Sequence, residues 1–204
     1  MHPLVAFAVL QKFLFETSPL RDNKSGRLKI RKEMGAGRTE ANARRRTPLK
    51  DTMGHVVEIL IAGSPASEMV SKHSVRAVPG RGLEGDRYSL GIGTFSPTPQ
   101  KPDFEITLIE QENVEAFATE SGLPFTAMQA RRNIVTSGVR LNELVGRDFS
   151  VGEVRIRGIR LCEPCTHLAK SSFAEVLRGL VHKGGLRAQV LSEGQVCVGD
   201  QINI

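Results

Sequence analysis

The stretch "DFSVGEVRIRGIRL", residues 148–161, decides how this chain folds. Val154, Ile156 and Ile159 are its apolar members after the first turn, and arginines lie between them. Side chains that alternate with period two stand on opposite faces of a strand. Gly158 breaks that register as a β-bulge would. Similar runs recur on both sides. "GHVVEILIA" (54–62) and "ITLIE" (106–110) precede it, "RNIVTSG" (132–138) comes next before it, and "LRAQVLSEGQVCVGDQINI" (186–204) ends the chain. These are β-branched apolar segments punctuated by Gly, Asn and Ser, which predicts strands and turns. "SEG" (192–194) between "AQVL" and "QVCVGD" predicts a hairpin turn.

Two segments have helical spacing instead. In "EQENVEAFATESG" (110–122), Val114, Phe117 and Ala118 share one face and Gly122 is the stop. In "SSFAEVLRGLVHKGG" (171–185), Phe173, Val176, Leu177 and Leu180 fall at i, i+3, i+4 and i+7. Ser171 or Ser172 would cap this helix, and Gly184–Gly185 would end it. There is no regular βαβ alternation and no internal repeat. The expectation is a mainly β or α+β domain, barrel-like, with a few short helices.

The chain has 204 residues, 40% of them hydrophobic, which suffices for one packed core. Three cysteines are too few for a disulfide scaffold, and the odd count fits a reducing compartment. No apolar run approaches the roughly 18 residues of a membrane span. The formal charge of +6 is unevenly placed. Residues 21–52 carry eleven Lys and Arg against four acids, whereas residues 53–204 carry sixteen against seventeen. The basicity therefore belongs to the first 52 residues, and nucleic acid is not the expected partner of the rest.

Residues 1–52 are expected to be a disordered basic extension, with one domain over 53–204. "LVAFAVLQKFLF" (4–15) has no Lys or Arg before it, unlike a secretory signal. An organellar targeting segment, an extension from an upstream start before Met53, and a nucleic-acid-binding arm all stay open. The expected location of the domain is cytoplasmic, without a membrane association.

The chemistry concentrates in "RLCEPCTHLAKSSF" (160–173). Cys162 and Cys165 stand between a strand and a helix. If the helix starts near Thr166, the Cys165 thiol faces backbone N–H groups that favour a thiolate, and His167 and Arg160 could add positive field. Such a thiolate serves as nucleophile, sulfur carrier or soft-metal ligand. A dithiol redox pair of Cys162 and Cys165 is an alternative, although its usual βαβ context is missing. A zinc site would need Cys197 and a histidine as further ligands, and no second paired motif exists. Cys197 is expected as a small core residue. A single working thiol at Cys165 fits the pattern best.

Two other stretches are marked. "GRGLEGDRY" (80–88) gathers glycines, Arg81 and Arg87 as an anion-binding loop would, and Asp86 could hold Arg87 or cap a turn. "ARRNIVTSGVRLNELVG" (130–146) sets Arg131, Arg132 and Asn133 just before a strand. Paired arginines are usually a solvated edge and gain meaning only if they converge on the cysteine.

Four ordered motifs, "GLEGDR" (82–87), "RRNIVTSGVRLNELVG" (131–146), "CEPCTHL" (162–168) and "GGLRAQVLSEGQVCVGD" (184–200), resemble the MOSC family, named for the C-terminal domain of molybdenum-cofactor sulfurase. The resemblance is to small stand-alone bacterial members and covers about residues 54–204. It implies a compact β-barrel-like domain with one characteristic cysteine, here Cys165 by its position before "THL". It also implies sulfur carriage as a cysteine persulfide, or ligation by Cys165 of molybdenum in a pterin cofactor. A cysteine desulfurase or a molybdenum enzyme would be the sulfur donor or acceptor, and the family context includes pyridoxal phosphate-associated proteins. Arg132, Asn133, Gly85, Asp86, Arg87 and Arg187 are the residues expected near the cofactor. Dithiol redox chemistry, or a non-enzymatic module binding through its basic arm, are the alternatives. One departure stands out. Many members follow the glycine-acid turn with a His-Gly-Gly-like stretch, and residues 88–110 contain no histidine.

Overall fold

Strand β8 (Val154–Leu161) holds the bulge that its sequence announced. Its pairing with β9 (Leu186–Val190) shifts register between Gly158 and Arg160. A Cβ on Gly158 would sit 2.1 Å from the carbonyl oxygen of Leu144, so only glycine allows that close backbone approach. This computed structural model describes residues 54–65 and 67–204. The expected disordered extension, its targeting or nucleic-acid roles and the boundary at 52/53 lie outside the described residues.

The remaining elements are β1 (Gly54–Ile61), β2 (Val70–Lys72), β3 (Ser74–Val78), β4 (Gly82–Leu83), β5 (Ile106–Glu110), α1 (Gln111–Ser121), α2 (Ala127–Ala130), β6 (Ile134–Ser137) and β7 (Asp148–Val151), followed by α3 (Thr166–Ser171), α4 (Val176–Gly179), β10 (Gly194–Cys197) and β11 (Gln201–Asn203). The strands run in the order β11-β7-β8-β9-β5-β6-β1, and β11 also pairs with β1. That last pairing closes a seven-stranded barrel, with β2 added outside β1. Strands β10, β3 and β4 form a second small sheet. The mainly β, barrel-like architecture read from the sequence is therefore the one observed.

Seven strands fill the barrel with aliphatic side chains, including Ile59, Leu108, Ile134, Ile156, Leu186 and Ile202. A second core lies between the sheet and the helices. Leu60, Ile109 and Val135 pack there against Val114, Phe117, Val176 and Leu180. Strands β1, β5 and β6 thus contribute to both cores, which is why their sequences read as continuous apolar runs. Each fully buried Leu or Ile contributes about 1.5–3 kcal/mol of transfer free energy. Strands β5 and β6 pair in parallel and are joined through α1, the one crossover unit among the described residues. Gly122 ends α1 in the left-handed region at φ 68°, as its position predicts.

Two expectations need correction. Residues 192–194 do not make a hairpin. Strand β9 pairs with β8 and β5, while β10 pairs with β3. The chain leaves β9 bound to the edge of β8 instead: Leu191 N–H donates to the Arg155 carbonyl at 2.8 Å, and Arg155 N–H donates to Ser192 Oγ at 2.8 Å. Of the second predicted helix, only α4 (Val176–Gly179) forms within 171–185, and α3 (Thr166–Ser171) ends where that helix was to begin. The hydroxyls of Ser171 and Ser172, expected as N-caps, donate back to the Leu168 carbonyl and end α3. Of the expected apolar face, Val176 and Leu180 are buried, Phe173 is half-buried and Leu177 is exposed. Gly179 lets α4 approach the Phe117 ring, which a Cβ would meet at 2.4 Å.

Candidate functional site

The approach to β6 is built around Arg132, which is 8% exposed. Its Nε donates to the Gly184 carbonyl at 2.9 Å, Nη1 to Ala130 at 2.9 Å and Nη2 to Cys162 at 3.1 Å. One guanidinium thereby ties the end of β8, the turn into β9 and the end of α2. A guanidinium carries five N–H donors, and these bonds use three. No carboxylate pairs with Arg132 among the described residues.

Beside it lies a cleft with a cavity volume of about 60 Å³. Arg87, Arg131, Arg132, Asn133, Cys165 and Arg187 all line it, with Tyr88, Phe95, Phe104 and His167 among their neighbours. Five of the residues singled out in the sequence, Cys165, Arg132, Asn133, Arg87 and Arg187, are thus brought together. Gly85 and Asp86 are not in the lining. Asp86 is buried behind it, where its carboxylate accepts from Ala62 N–H, Tyr88 N–H, Arg87 Nη1 and Asn133 Nδ2. Gly85 has φ 79°, a conformation that suits glycine and lets the chain turn toward Asp86.

Asn133 is committed to the scaffold. Its Oδ1 accepts from Thr107 N–H and Oγ1, and its Nδ2 donates to the Leu60 carbonyl and to Asp86. It holds β1, β5 and the glycine-acid turn at fixed distances around the cleft. Arg131 takes a left-handed backbone at φ 55° and donates to the carbonyls of Ser67 and Pro65. Burial, and then the charge of Arg87, push the Arg131 guanidinium below its ordinary range. That direction reports burial first, with the neighbouring Arg87 charge second.

Arg187 is in register with Thr107 of β5 and Arg160 of β8. Arg160 is paired with the Asp103 carboxylate at 2.7 Å and does not line the cleft. Arg187 donates only to the Asp103 backbone carbonyl, at 3.2 Å, and lies 4.6 Å from the centre of the Phe104 ring. Arg131, Arg132 and Arg187 therefore face one cleft without a carboxylate partner among the described residues.

Cys165 is the residue before α3, so the helix begins at Thr166 as expected. Its thiol is exposed, Cys162 is buried at 3% exposure, and Cys197 is half-buried; all three are free. Cys162 also lines the cleft. Glu163, between the two cysteines, accepts from the backbone N–H of His182 and meets its Nδ1 at 2.8 Å. Among the described residues no three His, Cys, Asp or Glu side chains gather as a metal site.

The sequence marks Arg131 only on the condition that it converge on the cysteine, which it does, and it does not mark Phe95 and Phe104. The two phenylalanines come from the non-periodic segment 88–105, which carries no spacing signal. Phe95 meets His167 edge-on, with ring centres 5.4 Å apart. A histidine thus reaches the cleft from α3, although none stands in the loop after the glycine-acid turn.

A closed β-barrel with a single exposed thiol in an arginine-lined cleft is the class of protein that fold and site define. The MOSC domain model matches residues 92–203, more than half of the chain, and the chain belongs to the MOSC domain family. That family is linked to the molybdenum cofactor and to sulfur-related functions. The fold is similar to that of the YuaD protein from Bacillus subtilis, at 17% identity and a TM-score of 0.63 over 74% of this chain and 94% of that one. It is also similar to YiiM from Geobacillus stearothermophilus (19% identity, TM-score 0.55, 74% of each chain). YiiM from Escherichia coli is a further relative in fold, at 19% identity and a TM-score of 0.53 over 72% of this chain and 68% of that one. No curated protein matches the chain. Among the described residues no helix is long and apolar enough to cross a membrane.

Proposed function

We propose that this protein handles sulfur through Cys165, as a persulfide carrier or as the thiol ligand of a molybdenum-pterin cofactor. The carrying observation is the exposed Cys165 thiol in a cleft with three arginines that lack carboxylate partners among the described residues. A persulfide is anionic at neutral pH, and so is the phosphate of a pterin cofactor. Guanidinium groups favour both, and they bind phosphate bidentately. Arg187 and the two spare N–H groups of Arg132 would receive the anion, while Asn133 and Asp86 keep the walls in place.

The donor set fits the cofactor in part. One soft thiol and several arginines suit a metal that arrives with its own ligands, and among the described residues no cluster of His, Cys, Asp or Glu forms a cage. When bound, molybdenum would supply oxo-transfer or sulfur-transfer chemistry. The chain's own part is to orient the cofactor's anionic end, to present Cys165 beside it, and to limit water with Phe95 and Phe104. The partner in the carrier role would be a cysteine desulfurase as donor, or a molybdenum enzyme as acceptor.

The test compares the protein with Cys165→Ser. Each is denatured and assayed for released pterin and molybdenum. Each is then incubated with a cysteine desulfurase and labelled cysteine, and read by mass without reductant. Pterin lost in the variant supports ligation, and a sulfur adduct confined to Cys165 supports the carrier role. Equal behaviour of both proteins overturns the proposal.

A further inference from the structure

We infer that the cleft takes sulfur directly from thiosulfate-class anions, in which a sulfane sulfur is bonded to a sulfonate group. This inference rests on the carrier reading of Cys165 and names a donor for it. It stands on the size and charge of the cleft. A volume of about 60 Å³ is roughly four to six times what one water centre occupies. That is room for a tetrahedral oxoanion of five heavy atoms. The lining supplies guanidinium groups without carboxylate partners among the described residues, and Arg132 is more than nine-tenths buried. Three of its donors are bound to carbonyls, leaving two N–H groups and an uncompensated positive charge at the cleft wall. A buried charge without a partner is costly, and an anion in the cleft removes that cost. Glu163 is the one carboxylate in the lining, and it is engaged by His182.

The chemistry balances without an outside oxidant. The Cys165 thiol loses its proton to solvent, and its sulfur attacks the outer sulfur of thiosulfate. A new S–S bond forms at Cys165 as the S–S bond of thiosulfate breaks, and sulfite leaves with the electron pair. One thiolate and one thiosulfate dianion give one persulfide anion and one sulfite dianion. Arg131, Arg132 and Arg187 hold the sulfonate end and stabilise the charge that collects on sulfite as it leaves.

The full chain is incubated with thiosulfate, sulfite release is followed, and intact mass is read for one added sulfur on Cys165. Arg187→Gln, and separately a cysteine desulfurase with cysteine as donor, are the comparisons. The expected result is a sulfur adduct with equimolar sulfite, slowed roughly tenfold to a hundredfold by Arg187→Gln. An unchanged urea-unfolding midpoint shows that the variant is folded. Excess sulfate should slow loading from thiosulfate alone. Loading from the desulfurase but not from thiosulfate overturns this inference and leaves the carrier reading standing. Loading from neither overturns both. Thiosulfate loading that ignores Arg187→Gln and sulfate alike contradicts the assigned anion site.

Discussion

The Nη2 of Arg132 lies 3.1 Å from the carbonyl oxygen of Cys162, so the side chain that lines the cleft also fastens the backbone that carries its cysteines. Function and stability are joined at this residue. Arg132→Lys keeps the charge but cannot span the three carbonyls. It is expected to lower stability by about 1–3 kcal/mol, since buried acceptors lose their partners. Urea unfolding of the two proteins checks this, and an unchanged midpoint would contradict the clamp.

Asn133 sits next to Asp86, with Nδ2 and Oδ2 3.3 Å apart. In Asn133→Asp two carboxyls share that buried space, and one of them holds its proton to a raised pH. A raised value in the folded state means that the stabilising protonated form is fully present below the ordinary carboxylate range of about 4. Its contribution is then lost as pH rises through the raised value. The melting-temperature deficit of the variant should therefore be small at pH 5 and large at pH 8. Equal deficits would contradict the contact.

Glu105 is buried, and that burial pushes its carboxyl above the ordinary glutamate value, partly offset by N–H donors from Val190 and Gly80. The direction is again upward, so its contribution is largest at acid pH and falls as pH rises past 4.5. Glu105→Gln removes this titration. Stability plotted against pH should be flatter in the variant between pH 4.5 and neutrality, and parallel curves would contradict the assignment.

Gly158→Ala drives a methyl toward the Leu144 carbonyl in the β8 bulge. Backbone on both sides has little room to yield, and a loss of about 1–3 kcal/mol is expected. Thermal unfolding checks it. A neutral substitution would mean that the bulge relaxes freely.

Much of this fold was legible in the sequence because burial wrote it there. Gly158, the alternation of Val154 and Ile156, and the two-sided apolar runs of β1, β5 and β6 each mark a physical requirement. Strands β2 and β4 were not legible: β2 is exposed throughout and β4 has two residues, so neither has a pattern. The false hairpin at 192–194 and the false long helix at 171–185 share a cause. Turn residues and apolar spacing do not say which partner wins: the 192–194 turn is held by the distant Arg155, and Ser171 and Ser172 bond back to Leu168 three and four residues before them. At the site, Cys165, Arg132 and Arg187 were found through ordered motifs. Arg131 lies in one of those motifs too, whereas Phe95 and Phe104 come from loop paths that leave no periodic trace.

The most direct test of the central claim measures how Cys165 reacts with an anionic and a neutral alkylating reagent of similar size. Iodoacetate and iodoacetamide are followed at Cys165 by peptide mass, with mercaptoethanol as the free-thiol reference. A cationic cleft concentrates anions near the thiol. The predicted result is an iodoacetate-to-iodoacetamide ratio roughly tenfold above that of mercaptoethanol, reduced by sulfate and by Arg187→Gln. A ratio equal to the free thiol's, unmoved by sulfate, would contradict the assignment of an anion-binding thiol cleft.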